Sequence, residues 1–322
     1  SRLVASARPT LAIVDGATTP GPDATTALPV TASARFVRRG ASESEDVAVL
    51  QYTSGSTASP KGVVLRHGDL FEHARRLASI ARLDASRPVV SWLPPYHDMG
   101  LVGGLLAPLV AGSEIVLFTP TEFAARPERW LEAIAAHRAS FSGAPDFAYA
   151  RLASRMSAER AALLDLSAWR VAFTGAERVR GATLDAFASR FAASGFDARA
   201  FAPCYGMAEA TLAISIHDPF GEPAARIRVD PRELERGRVR FEPEGGLELV
   251  SNGRAIRGVE IRIVDPEDGG IAAPLRVGEI HVRSETAATE YFDDDAATLA
   301  TFGDGRSGRG FFRTGDLGFV HE

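Results

Sequence analysis

Between Val47 and about His217, short apolar runs rich in β-branched residues alternate with stretches of helical spacing, and few architectures tolerate that alternation. DVAVLQYT (46–53) reads as a strand that runs into a Ser/Gly/Thr loop. In GDLFEHARRLASIAR (68–82), Leu70, Phe71, Ala74, Leu77, Ala78 and Ala81 fall on one side of a predicted helix. PVVSWLP (88–94) and SEIVLF (113–118) read as strands. Residues 127–137 start a helix with proline and turn Trp130, Leu131, Ile134 and Ala135 inward. WRVAFTG (169–175) is a strand, residues 183–193 a helix, and ARAFAPCYG (198–206) a strand. The pattern predicts an α/β fold of sheets covered by helices. Beyond residue 217 the helical periodicity fades, and GVEIRIVD, VGEIHVRS and GFFRTGDLGFV read as strands of a smaller β-rich subdomain. Pro, Thr, Ala and Ser crowd residues 18–44, which predicts a loop or linker. The strand pattern is still running at His321 and Glu322, and nothing before Val47 completes a subdomain. The expectation is a chain truncated at both ends.

Composition narrows the function. The 322 residues are 45% hydrophobic and 24% charged, an ordinary globular balance with enough apolar mass for a sizeable core. A net charge of −5 argues against nucleic acid, because a phosphate backbone calls for concentrated positive charge. No apolar run reaches the ~18 residues of a membrane span. The opening SRLVASARPTLAIVDG lacks the basic and then apolar regions of a signal peptide. The single cysteine, Cys204, cannot make an internal disulfide; it reads as a small buried hydrophobe and fits a reducing cytoplasm.

Lys61 is the only lysine among the 36 basic residues. Where arginine otherwise serves throughout, the exception marks a place that needs a compact ammonium able to reach a phosphate oxygen. Its neighbours agree: Thr53, Ser54, Gly55, Ser56 and Thr57 form a glycine and hydroxyl loop whose backbone N–H and side-chain groups suit phosphate. A Ser/Thr-rich hairpin would explain the loop but not the lysine at its end. Gly62 and Val63 follow Lys61, so this is not a Walker A loop.

This loop closely resembles the signature phosphate loop of the adenylate-forming superfamily, which includes acyl-CoA synthetases, peptide-synthetase adenylation domains and luciferases. Three further segments follow in that family's order. Gly175, Ala176 and Glu177 resemble the stretch beside the adenine. Tyr205, Gly206 and Met207, with Glu209 and Thr211, resemble the motif whose tyrosine packs on adenine and whose glutamate reaches Mg²⁺. Asp316 in Thr314-Gly315-Asp316 resembles the aspartate that binds the ribose hydroxyls. SWLPPYHDMGL (91–101), FSGAPDFAYA (141–150) and PCYGMAEAT (203–211) are most similar to fatty acyl-AMP ligases.

The resemblance implies ATP and Mg²⁺ as cofactors and a fatty acid as substrate, activated to an acyl-adenylate and passed to an acyl carrier protein. It implies Lys61, Glu209 and Thr211 at the reaction, and His97, Asp98, Met99, Gly100, Ser142 and Asp146 along the acid. It divides the chain into a partial N-terminal segment and linker (1–46), a nucleotide- and acyl-binding α/β subdomain (47–216) and the β-rich subdomain (217–322). A ligase-specific insertion falls at 217–251, and the C-terminal lid domain with its second catalytic lysine is not in the sequence. A fragment so read should be weakly active or inactive alone. Two departures stand out: Asp146 replaces an expected asparagine, and Glu290 an expected glycine before Tyr291 and Phe292. A carboxylate at Asp146 beside the acyl path disfavours a plain aliphatic chain. Adjacent residues of an extended segment point apart, so His97 and Asp98 are not expected to converge on one ion. The rival readings are an acyl- or aryl-CoA ligase and a non-catalytic module that binds nucleotide or carrier protein.

Overall fold

The computed structural model describes residues 42–53, 60–303 and 309–321, together with strands β1 (Ala12–Val14) and β2 (Ala27–Pro29), which pair in parallel. Ala27–Pro29 therefore corrects part of the loop expected over 18–44, most of which lies outside the described residues. Strands β3 (Val47–Thr53) and β4 (Lys61–Arg66) form an antiparallel hairpin in which Thr53 stands opposite Lys61.

Helix His67–Ile80 follows directly. Its buried stripe is Leu70, His73, Ala74, Arg76, Leu77 and Ala78, while Phe71 is 59% exposed. The expected inward Phe71 is thus wrong for a simple reason: a helix buries i, i+3, i+4, i+7 and i+8, and from Leu70 that series reaches His73 rather than Phe71. His73 is fully enclosed. Its Nε2 accepts from the Ala213 amide at 3.0 Å, which leaves Nδ1–H to donate to Thr286 Oγ1 at 2.9 Å. Burial pushes the His73 pKa down to about 3, so the ring is neutral.

The largest sheet takes β5 (Val89–Ser91), β6 (Ile115–Leu117), β7 (Phe141–Gly143), β8 (Val171–Thr174), β9 (Phe201–Gly206) and β10 (Ala213–Ile216). Strands β11 (Arg226–Val229) and β12 (Leu247–Val250) pair separately, and β13 (Arg254–Ala255) returns to the large sheet, whose order is β6-β5-β7-β8-β9-β10-β13. The first five are parallel, β10 runs antiparallel to β9, and β13 antiparallel to β10. Because β13 joins it, the sheet extends beyond the boundary expected after residue 216. Helices Glu128–Ala136, Asp146–Arg155 and Gly181–Phe191 connect the parallel strands. Their apolar faces meet in a ring cluster that includes Trp130, Tyr149, Trp169 and Phe187, with Trp130 and Trp169 centroids 5.4 Å apart.

A smaller antiparallel sheet follows, built from β14 (Val259–Val264), β15 (Gly278–Ser284) and β16 (Phe312–Gly318). Within 217–251, Arg226 pairs with Asp185 of helix Gly181–Phe191 at 2.7 Å, and Val239 N–H donates to the Leu275 carbonyl at 2.8 Å. That stretch therefore ties the large sheet's helix to the turn between β14 and β15. No helix among the described residues is long and apolar enough to cross a membrane.

Candidate active site

A cavity of about 740 Å³ opens beside the carboxyl ends of the parallel strands and reaches back along one face of the sheet. This is the crevice where open α/β sheets bind ligands. Its polar end is assembled from five separate pieces of chain. The β3–β4 hairpin supplies Thr53 and Lys61, and a turn after β5 supplies His97, Asp98 and Met99. The end of β9 and the tight turn Ala208–Ala210 bring Tyr205, Gly206, Met207 and Glu209. Strand β16 adds Arg313, Thr314 and Asp316, and the segment after β15 adds Tyr291.

Two tyrosine–carboxylate pairs organise this end. Tyr205 donates from its hydroxyl to Asp316 Oδ2 at 2.7 Å, and Tyr291 donates to Glu209 Oε1 at 2.7 Å. Burial first, and then the neighbouring carboxylates, push both phenols well above their usual pKa, so they remain donors. The hairpin places Tyr291: Val64 N–H donates to the Glu290 carbonyl at 3.2 Å, and Phe292 N–H to that of Gly62 at 2.8 Å. Lys61 Nζ consequently lies 5.0 Å from the Tyr291 ring centroid, within reach of its negative face. Glu209 is held from behind as well, since its carbonyl accepts from Ala288 N–H at 2.9 Å.

His97 and Asp98 meet each other side by side, because the segment is a turn and not the extended run from which opposite faces were expected. The chain leaves Pro94 in a turn, Asp98 takes helical angles (φ −52, ψ −42), and His97 Nδ1 comes 2.7 Å from Asp98 Oδ1. The same carboxylate accepts from Met99 N–H at 2.6 Å and so caps the helical turn Met99–Leu106. The hydrogen bond to Asp98 raises the His97 pKa against the opposing effect of burial.

The other end of the cavity is apolar. Side chains two apart on a strand share a face, so Ala202 and Cys204 of β9, Val171 and Phe173 of β8, and Phe141 of β7 line one wall. Leu77 and Ile80 of helix His67–Ile80, with Ala81 directly after it, line the wall opposite. Burial pushes the Cys204 thiol up to about 12, which leaves it an inert wall residue.

Several expected site residues are placed elsewhere. Ser142 accepts from Trp130 Nε1 at 2.7 Å and donates to the Val90 carbonyl at 2.6 Å, inside the core. Asp146 accepts from Arg180 N–H at 2.9 Å, Arg180 Nη1 at 3.1 Å and Thr183 Oγ1 at 2.9 Å, so it joins two helices and does not line the cavity. The objection it raised to an aliphatic acid therefore falls. Thr211 is 0% exposed, at φ 73 and ψ −47, and donates to the Thr286 carbonyl; its part is to fix the turn that carries Glu209. Gly100 and Gly175 serve close packing: a Cβ on Gly100 would lie 2.1 Å from the Pro94 oxygen. Ala176 lines the cavity, whereas Glu177 is exposed and caps helix Asp146–Arg155 through Phe147 N–H at 2.7 Å. Ser54, Gly55, Ser56 and Thr57 lie outside the described residues. Tyr291, Arg313 and Glu279 were missed, although Tyr291 sits in the Tyr-Phe pair that the sequence had drawn attention to.

One carboxylate at the polar end suits a hard cation that keeps most of its ligands from water and substrate phosphates. Glu209 fits that donor set: it lines the cavity, and Tyr291 fixes one of its oxygens. No group of three His, Cys, Asp or Glu among the described residues forms an all-protein cage.

Residues 5–292 match the AMP-binding enzyme family. Over 288 residues the chain is 42% identical to the medium-chain-fatty-acid acyl-carrier-protein ligase TtuA of Teredinibacter turnerae, a match covering 86% of this chain and 45% of that protein. It is 39% identical over 292 residues to the 4-hydroxyphenylalkanoate adenylyltransferase of Mycobacterium tuberculosis, covering 87% and 47%. The fatty acyl-adenylate ligase of L. pneumophila, solved with acyl adenylate and pyrophosphate, superposes with a TM-score of 0.90 at 34% identity, covering 100% of this chain and 58% of that one. The chain spans about half the length of the curated relatives it matches.

Proposed function

The chain belongs to the AMP-binding enzyme family, and on that premise we propose that it activates a fatty acid with ATP, forming an acyl-adenylate and releasing pyrophosphate. One observation carries the reading: a single cavity joins an end bearing Lys61, Glu209 and Asp316 to an apolar arm long enough to run beside three strands. Charge binds the nucleotide and the arm binds the alkyl chain.

In the reaction a carboxylate oxygen attacks the α-phosphorus, the bond to the bridging oxygen breaks, and pyrophosphate departs with that electron pair. The product is a mixed anhydride. Catalysis of this kind rests on positioning and on neutralising charge. Lys61 and the loop from Thr53 to Thr57 take the β- and γ-phosphates. Tyr205 packs against the adenine beside Ala176, and Asp316 binds the ribose hydroxyls once its bond to Tyr205 opens. Glu209 would hold Mg²⁺, which would supply neutralisation of the phosphate charge. His97, kept in place by Asp98, shapes the wall where the nucleotide end meets the arm. The acyl group then passes to an acyl carrier protein, the acceptor in the name of the TtuA relative.

The test is ATP–pyrophosphate exchange by the full-length protein across straight-chain, aryl and amino acids, followed by transfer to CoA or to a carrier protein. Exchange should be fastest with straight-chain acids. Exchange confined to aryl or amino acids sinks the choice of substrate, and thioester formation on CoA alone sinks the choice of acceptor.

A further inference from the structure

The residues that line the far end of the apolar arm stand next in the chain to a stacked side-chain pair. Val171 and Phe141 are the first residues of their strands, so the arm has crossed the sheet by the time it reaches them. Ile80 and Ala81 line it from the end of helix His67–Ile80, and Ile216 and Pro219 from the chain leaving β10. The next residue on each side is the one that meets its counterpart. The Arg82 guanidinium stacks on the Phe220 ring, 3.9 Å from its centroid.

Local structure fixes both partners. Arg82 takes φ 52, which turns the chain out of the helix, and its N–H donates to the Ser79 carbonyl at 3.1 Å. Phe220 sits in a tight turn, with its N–H on Asp218 Oδ1 at 3.0 Å and Gly221 N–H on the Asp218 carbonyl at 3.2 Å. Arg82 is exposed while Phe220 is half-buried and packs against the main core. The ring thus faces apolar side chains on one side and is covered by the cation on the other.

We propose that Arg82 and Phe220 form the end stop of the acyl arm and set the longest straight-chain acid that the site admits. This rests on the fatty-acid reading above. An acid that fits leaves the pair stacked. A longer one must part it, and loses both the cation–ring contact and the burial of its own terminal methylenes.

The experiment uses the full-length protein and a series of saturated acids of graded length. Two readouts run in parallel: kcat/KM in ATP–pyrophosphate exchange, and binding measured as displacement of a fluorescent fatty acid. Arg82→Ala and Phe220→Ala should move the length limit upward, with about a tenfold gain for the acid two methylenes beyond the wild-type limit. Acids below the limit should be unaffected. Ala81→Leu, which fills the far end, should move the limit downward. If exchange fails with every acid while the binding limit still shifts, the activity reading falls and the stop stands. If exchange proceeds but the limit stays put in Arg82→Ala, or Ala81→Leu lowers binding equally at every length, the stop is overturned.

Discussion

The seven-stranded sheet and the three-stranded sheet are held together by different forces. Around the first, Trp130, Tyr149, Trp169, Phe187 and Phe201 interlock mostly edge to face, and the indole N–H groups of Trp130 and Trp169 find partners inside the core, Trp169 Nε1 on the Val171 carbonyl at 2.8 Å. The second has a smaller apolar patch around Phe312 and Val282, and its exposed ion pairs include Arg262 with Glu260 at 3.1 Å. Aromatic packing is dense and indifferent to salt, while exposed ion pairs contribute little and are screened. The apolar arm of the cavity is built mainly on the first region. Its polar end straddles both, so its geometry depends on how well they dock.

The largest effect should come from removing a ring of the first region. Trp169→Ala leaves a void among four aromatic neighbours and strands no charge, and should lower the unfolding free energy by about 3–5 kcal/mol. Urea denaturation followed by far-ultraviolet circular dichroism measures it. A loss below about 1 kcal/mol, the range of surface ion pairs, would erase the contrast between the two regions.

Next in size is a change at the junction that leaves the fold alone. Glu209→Ala should reduce ATP–pyrophosphate exchange by about 100- to 1000-fold, equivalent to ~2.7–4 kcal/mol of barrier, the usual effect of losing one preorganised group. Its circular dichroism spectrum should match the wild type, because Ala288 N–H still has the residue-209 carbonyl as acceptor. Near-normal exchange would remove Glu209 from the chemistry and leave the junction a structural seam only.

How legible these regions were differs as well. The parallel strands and their helices follow from period and punctuation, since β-branched runs and 3.6-residue stripes are local properties. Lys61 was legible because every other basic residue is arginine. Glu209, Tyr205 and Asp316 were legible only through family motifs. Tyr291 was not, because its role arises when a strand 228 residues away pairs with it, Val63 with Tyr291, and no local pattern reports such a contact. Ser142, Asp146 and Thr211 failed in the opposite sense. They fall in motif-bearing segments, yet their hydroxyl and carboxylate groups satisfy helix ends, indole N–H groups and a strained turn. Spacing cannot separate a polar side chain that meets a ligand from one that meets its own backbone.

The smallest effect concerns the seam between the two regions, where His73 bonds to Ala213 beside β9 and to Thr286 beyond β15. Its pKa falls from 6.5 to about 3 on folding, chiefly through burial and secondarily through the nearby Arg76 cation. A depressed histidine pKa means that below pH ~6.5 the unfolded chain takes up a proton that the folded chain refuses. Stability from this group is therefore complete above that pH and is lost as the pH falls toward 3, by up to about 1.4 kcal/mol per pH unit. His73→Gln should be less stable at neutral pH, because one of the two bonded backbone and side-chain partners loses its mate. It should also lack that one-proton slope, so that the gap between wild type and variant narrows on acidification. Urea midpoints at pH 7.5 and pH 5 decide the matter, and a gap that stays constant between them would show that the two regions are not joined through a neutral imidazole.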